Sequence, residues 1–274
     1  MSQSEESMNA LHIRSVYCST LLLLVILVCP AAAFAQVSDA DTERGIALYQ
    51  KHDYKQAKDL FQSITKANAE NLLAWHYLAL SLEASDNKEG ARKAHEKAAK
   101  LGEALLVAGL KDYQAKDPLM PLVPRGAQIA AAGKSARAYL SLNSRLSHLD
   151  FEEWTNRAIM LEDYDELLKT NGTDQPVKRV FSSDQVATKP RFVSKYEPQY
   201  TEEARASKTT GSVTLLVILA ADGNVRGIVP MEVLPHGLTG AAVRAARQTN
   251  FVPAQIDGRP VSTITQIINN FEIH

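Results

Sequence analysis

The chain has 274 residues, a formal net charge of −1 and an apolar share of 45%, which suits one to three small soluble domains. So balanced a charge gives no electrostatic case for nucleic acid. Two cysteines occur, Cys18 and Cys29, both in the N-terminal segment, so a chain without that segment would have neither thiols nor disulfides.

That segment carries His12 and Arg14, then the apolar run 21–28, and ends at Ala33-Phe34-Ala35. A basic flank, a short apolar core and an A-x-A site predict a secretory signal peptide over 1–35, a mature start near Gln36 and a periplasmic location. The stretch Val16 to Ala35 is also just long enough to span a bilayer, so an uncleaved inner-membrane anchor is the alternative reading. A lipidated Cys29 fits less well, because Val28 stands where a small residue is expected.

The next elements repeat. Gly45 and Ala79, Ala57 and Ala91, Phe61 and His95, and Ile64 and Ala98 are each 34 residues apart. Asp53-Tyr54 and Asn87-Lys88 fall at corresponding turns. Small residues at 57 and 91 let paired helices approach closely, while Tyr49, Leu60, Phe61 and Leu82 fill the space between them. The pattern resembles tetratricopeptide repeats. Two repeats are clear, and a third fails where Arg125 replaces the alanine due. Further helices are expected to cap the pair: Glu103 to Lys116, then Gln128 to Leu146 and Phe151 to Lys169, with an extended proline link at Pro118, Pro121 and Pro124 between the first and the others. The helical domain is placed at 36–170 and a linker at 171–195.

The last domain, 196–274, reads strand, strand, helix, strand. Ser212 to Leu219 and Val225 to Val233 flank the Asp222-Gly223 turn. Pro230 marks the second strand as an edge or a bulge. Thr239 is the expected cap of a helix running to about Thr249, and Asp257-Gly258 turns the chain into a final strand, Val261 to Ile273. That strand is long for so small a sheet, so part of it is expected to overhang as an unpaired edge. The fold class is therefore multi-domain, α plus α+β.

No catalytic constellation, cofactor motif or metal set emerges. Residues 128–135 approach a phosphate-binding loop, but Gln128 replaces its first glycine and the setting is helical, so an exposed Lys134 on a helix is the expectation. His52, His76, His95, His148, His236 and His274 lack the i, i+4 spacing of a zinc helix, and there is no nucleophile elbow. The chain is read as a non-enzyme.

The motifs at the C-terminal end carry a resemblance. They are Glu197-Pro198-Gln199-Tyr200, Ala204-Arg205, the run 211–219, Asp222-Gly223, Pro235-His236-Gly237-Leu238, Ala241-Ala242, Ala245-Ala246-Arg247, Phe251, Pro253-Ala254 and Asp257-Gly258. In this order they resemble the C-terminal domain of the TonB family. The resemblance implies an envelope protein that binds extended peptide segments of outer-membrane receptors by strand addition. Carried over by position, the peptide-binding residues would be Glu197, Pro198, Gln199 and Tyr200, with Val261, Thr263, Thr265, Ile267, Asn269 and Phe271 of the final strand.

Thr201 stands where the family often has a second proline, His12 precedes the apolar run instead of lying within it, and helical repeats replace the proline-rich spacer of energy transducers. The implied partners are TonB-dependent receptors or other envelope proteins, and the inner-membrane proton-driven motor if the leader is retained. The alternative is an envelope scaffold whose sheet forms a homodimer, since Leu216 and Ile218 oppose Val213, Leu215, Val217 and Leu219 and leave both faces of strand one apolar.

Overall fold

A computed structural model of the protein describes residues 30–170 and 179–273. Most of the expected leader, 1–29, and the turn-rich start of the expected linker, 171–178, lie outside the described residues. Helices come first: α1 Pro30–Gln50, α2 Tyr54–Ala67, α3 Leu72–Glu83, α4 Lys88–Gly109, α5 Gly126–Leu142 and α6 His148–Thr170. Among the described residues no helix is long and apolar enough to cross a membrane.

The N-termini of α2, α3 and α4 are capped by Asp53, Asn71 and Asn87, whose side chains accept backbone N–H groups at 56, 74 and 90. Positions paired by the 34-residue period are buried together: Ala57 and Ala91, Phe61 and His95. A side chain at Gly45 would meet the Phe61 ring at 2.6 Å, which is why that position is small. This arrangement is compatible with helical repeats ahead of the last domain.

The helix expected at Glu103 to Lys116 is instead the second half of α4, which runs unbroken to Gly109. No proline interrupts it, and Gly102 is the point at which α5 comes closest: an added Cβ would meet Ala132 at 2.2 Å. The proline segment is not extended either. It winds into a 3₁₀ turn, Met120–Arg125, and buries Leu119 and Leu122. Proline tolerates the first turn of a helix, where its missing N–H has no partner to lose. Helices α5 and α6 form a third hairpin stacked on the second, although the sequence period stops before it.

The C-terminal elements are β1 Val180–Phe181, β2 Arg191–Ser194, α7 Glu202–Ala206, β3 Gly211–Leu219, β4 Val225–Glu232, α8 Leu238–Arg247, β5 Asn250–Val252, β6 Ala254–Ile256 and β7 Arg259–Phe271. The main sheet has the order β1-β7-β3-β4, with β6 also paired to β7 and β1 running parallel to it. Segment 180–194, placed in the linker from the sequence, thus contributes two short strands that pair with elements of the last domain. Helix α8 starts from Gly237, which is left-handed at φ 80°. Thr239 does not cap it: its hydroxyl accepts from the Leu234 N–H and donates to the Leu234 carbonyl, both at 2.9 Å.

Alternation along β3 sends its side chains to two cores. Val213, Leu215, Val217 and Leu219 pack with Leu238, Ala242 and Ala246 of α8. Leu216 and Ile218, with Val229 and Ile264, join Leu106, Ile129, Leu161 and Tyr164 of the helices. The second apolar face is therefore buried within one chain. Gly227 in β4 is where α6 approaches: its φ is 53°, its N–H donates to Asp163 Oδ2 at 2.9 Å, and an added Cβ would meet Ile218 and Tyr164 at 3.1 Å. Burial raises the Asp163 carboxyl above the usual carboxylate range, opposed by the Gly227 hydrogen bond and by Arg226 and Arg247.

Because the sheet and the helices share a core, Leu216→Ala is expected to cost about 2–5 kcal/mol and to lower the melting of the helices as well as the sheet. Far-UV circular dichroism on heating checks this: an unchanged helical transition would mean independent domains.

Candidate peptide-binding edge

A strand can accept another strand where its N–H and C=O groups are unpaired. The direction of each group on β7 follows from its neighbours. In the β3–β4 turn the Ala220 N–H bonds the Asn224 carbonyl, so even-numbered β3 residues aim their main-chain groups at β4 and odd-numbered ones at β7. The register pairs Leu219 with Thr263, Val217 with Thr265, Leu215 with Ile267 and Val213 with Asn269. Odd residues of β7 therefore bond β3, and even residues face the far side. Ser183 agrees with this, its hydroxyl donating to the Ile264 carbonyl on that far side at 3.4 Å.

The first part of β7 is covered. Residues 259–261 pair with β6, and Ser262 and Thr263 pair with β1. Beyond Ile264, no described strand pairs with the outer edge, where Gln266, Ile268 and Asn270 present their main-chain groups. All three side chains are exposed, Ile268 by 60%. The expected overhang is thus a strand fully paired to β3 and open on its other edge.

The opposite edge of the sheet, β4, is blunted. Pro230 has no N–H to offer, the ladder to β3 is interrupted by two register shifts, and Asp163 takes the Gly227 N–H.

The residues named from the sequence fall into three environments. Val261 and Thr263 are buried, and Val261 packs with Phe181, Val186 and Ala254. Thr265, Ile267, Asn269 and Phe271 turn their side chains to the α8 face, where Ile267 and Phe271 join its core. The open groups belong to the even positions between them, which the sequence reading did not name. The alternation was visible in the sequence; the phase depends on which partner β3 takes on each side.

In the approach segment, Glu197 and Gln199 are exposed, while Pro198 and Tyr200 are half-buried. The Tyr200 hydroxyl donates to the Thr209 carbonyl, and its ring meets Phe271 edge-on at 5.7 Å, with the Arg205 guanidinium 5.3 Å away. This anchors 197–200 beside the last residue of the open edge. Thr201 Oγ1, in the place of the second proline, accepts from the Ala204 N–H and donates to the His236 carbonyl at 2.5 Å. It thereby ties the segment to the Pro235-His236-Gly237 turn.

Among the described residues no cluster of three or more metal-binding side chains exists, and Lys134 lies exposed on a helix. Two histidines nevertheless meet. His76 Nδ1 and His95 Nδ1 lie 2.8 Å and 3.1 Å from Ser135 Oγ, joining α3, α4 and α5 inside the helical core. Burial holds both imidazoles at a pKa of about 4. For His76, the neighbouring His95 and Lys134 add to the effect.

Residues 196–273 match the family model of the Gram-negative bacterial TonB protein C-terminal. No curated protein matches the chain. The last domain is therefore TonB-like. The match covers the last domain and no part of the helical hairpins.

The histidine pair yields an acid-stability prediction. The folded pKa values lie below the ordinary 6.5, so between these limits the unfolded chain binds more protons. Stability contributed by the neutral rings is complete above 6.5 and is lost as pH falls towards 4, by roughly a few kcal/mol in total. Thermal melts across this range, with imidazole titration by NMR, check it, and His95→Phe should flatten the slope.

Proposed function

We propose that this protein binds extended peptide segments of outer-membrane transport receptors, which add as a strand along Gln266, Ile268 and Asn270 of β7. It works in the periplasm as a non-enzymatic adaptor, with the helical hairpins offering a second protein-binding surface. The observation that carries the reading is the open β7 edge, in a sheet whose other edge is blunted. Main-chain pairing supplies the affinity in such complexes, and flanking side chains select the register. The anchored Glu197–Tyr200 segment at the end of this edge supports the same placement.

The test uses the whole chain, because the sheet shares its core with the helices. Titration with receptor energy-coupling-box peptides, followed by amide shifts, should perturb 266, 268 and 270 most. Ile268→Pro removes an outward N–H and leaves the β3 ladder intact, so binding should weaken at least about tenfold in a folded protein. Asn269→Pro removes a ladder donor and should destabilise the sheet instead. An absence of shifts at millimolar peptide, or full binding by Ile268→Pro, would overturn the proposal.

A further inference from the structure

Strands β2 and β5 form a two-stranded ribbon apart from the main sheet. Its register pairs Phe192 with Phe251 and Arg191 with Val252. Paired residues share a face, so the two phenylalanines turn together into the α8 core, and Arg191 and Val252 turn together away from it. Ser194 and Asn250 pair on the outer side as well, the Ser194 hydroxyl accepting from the Asn250 side-chain amide at 2.9 Å. Val193 is the extra residue of the bulge between them and Phe192. This outer face is bare: Val193 is 61% exposed, Val252 39%, and Tyr196, just past β2, 50%.

The charge of the ribbon is one-sided. Residues 185–196 and 248–256 supply Lys189, Arg191 and Lys195 and contain no Asp or Glu, in a chain of 30 basic and 31 acidic residues. Lys189 lies within electrostatic reach of Asp184. Arg191 and Lys195 are exposed and form no ion pair with a described residue. The Lys195 ammonium rests instead over the Phe192 ring, 4.4 Å from its centroid, which leaves its charge uncompensated. The edges of the ribbon offer less than its face. Pro190 and Pro253 flank the two strands without N–H groups, and the bulge at Val193 interrupts the ladder.

We propose that the outer face of this ribbon docks on an anionic bilayer surface. Arg191 and Lys195 meet lipid phosphates, and Val193, Val252 and Tyr196 lie at headgroup depth. A bilayer presents several phosphates in one plane above apolar chains, and apolar side chains with a tyrosine set among cations suit that boundary. An acidic peptide would meet the same cations, but it finds no open ladder for its backbone, and the apolar side chains here stand out from the surface. The ribbon is a separate sheet from the one that holds β7, so this docking does not rest on strand addition.

The apolar run 21–28 can hold the whole chain to a bilayer by itself, so the readout is local. Tyr196→Trp places a reporter on the exposed face, and its fluorescence is quenched where it meets vesicle lipids brominated on the acyl chains. The unsubstituted protein, whose Trp75 and Trp154 belong to α3 and α6, gives the background. Extra quenching should appear on phosphatidylcholine vesicles that contain phosphatidylglycerol, not on phosphatidylcholine alone, and should fade as salt rises. In the reporter chain, Arg191→Glu with Lys195→Glu should cut it severalfold, and so should Val193→Ser with Val252→Ser. Lys51→Glu with Lys55→Glu makes the same change of net charge at two exposed lysines of the helical part and should leave it unaltered, as should Ile268→Pro. Equal quenching without phosphatidylglycerol, unaltered quenching in both ribbon variants, an equal loss in the Lys51 and Lys55 variant, or competition by a poly-glutamate peptide at equal anion concentration would overturn the proposal.

Discussion

Burial of the second face of β3 organises this molecule. Leu216 and Ile218 are fully buried against Leu161, Tyr164 and Leu106. Each such side chain contributes about 1.5–3 kcal/mol by leaving water. A two-faced apolar strand needs cover on both sides. Here α8 supplies one side, and the third helical hairpin supplies the other. That hairpin is fixed in turn by Gly102 against Ala132 and by the Ser135 hydroxyl between His76 and His95. The chain from repeat helices to sheet is thus one continuous packing.

This packing bears on how a TonB-like domain can work without a proline-rich spacer. Asp163 and Tyr164 of α6 meet the sheet at Gly227, where the left-handed backbone permits the approach. The contact that joins the helices to the sheet also occupies the β4 edge. It leaves the β7 edge open beyond Ile264, with Tyr200 and Phe271 fixing its end. The same junction leaves the unpaired strand edge on the other side of the sheet.

Much of this was legible in the residues. The turns at Asp53-Tyr54 and Asn87-Lys88, the Asp222-Gly223 and Asp257-Gly258 turns and the edge character of Pro230 are local signals, set by neighbours a few residues away. Their elements formed as read. Local signals also misled where a nearby partner outcompeted them. Thr239 turned back to Leu234 because Gly237 had already started the helix, and Pro121 and Pro124 settled into a 3₁₀ turn beside the buried Leu119 and Leu122.

What the sequence determined by itself was the two repeat hairpins, the strands β3, β4 and β7 with helix α8, and the TonB-like character of the last domain, because turn glycines, alternation and spaced motifs act over short distances. Tertiary structure decided three things: which face of β3 met the helices, which β7 groups stayed unpaired, and how His76, His95 and Ser135 came together. Each of these depends on residues tens to more than a hundred positions apart. Alternation shows that a strand has two sides, but the choice of partner for each side is made by the whole packed chain.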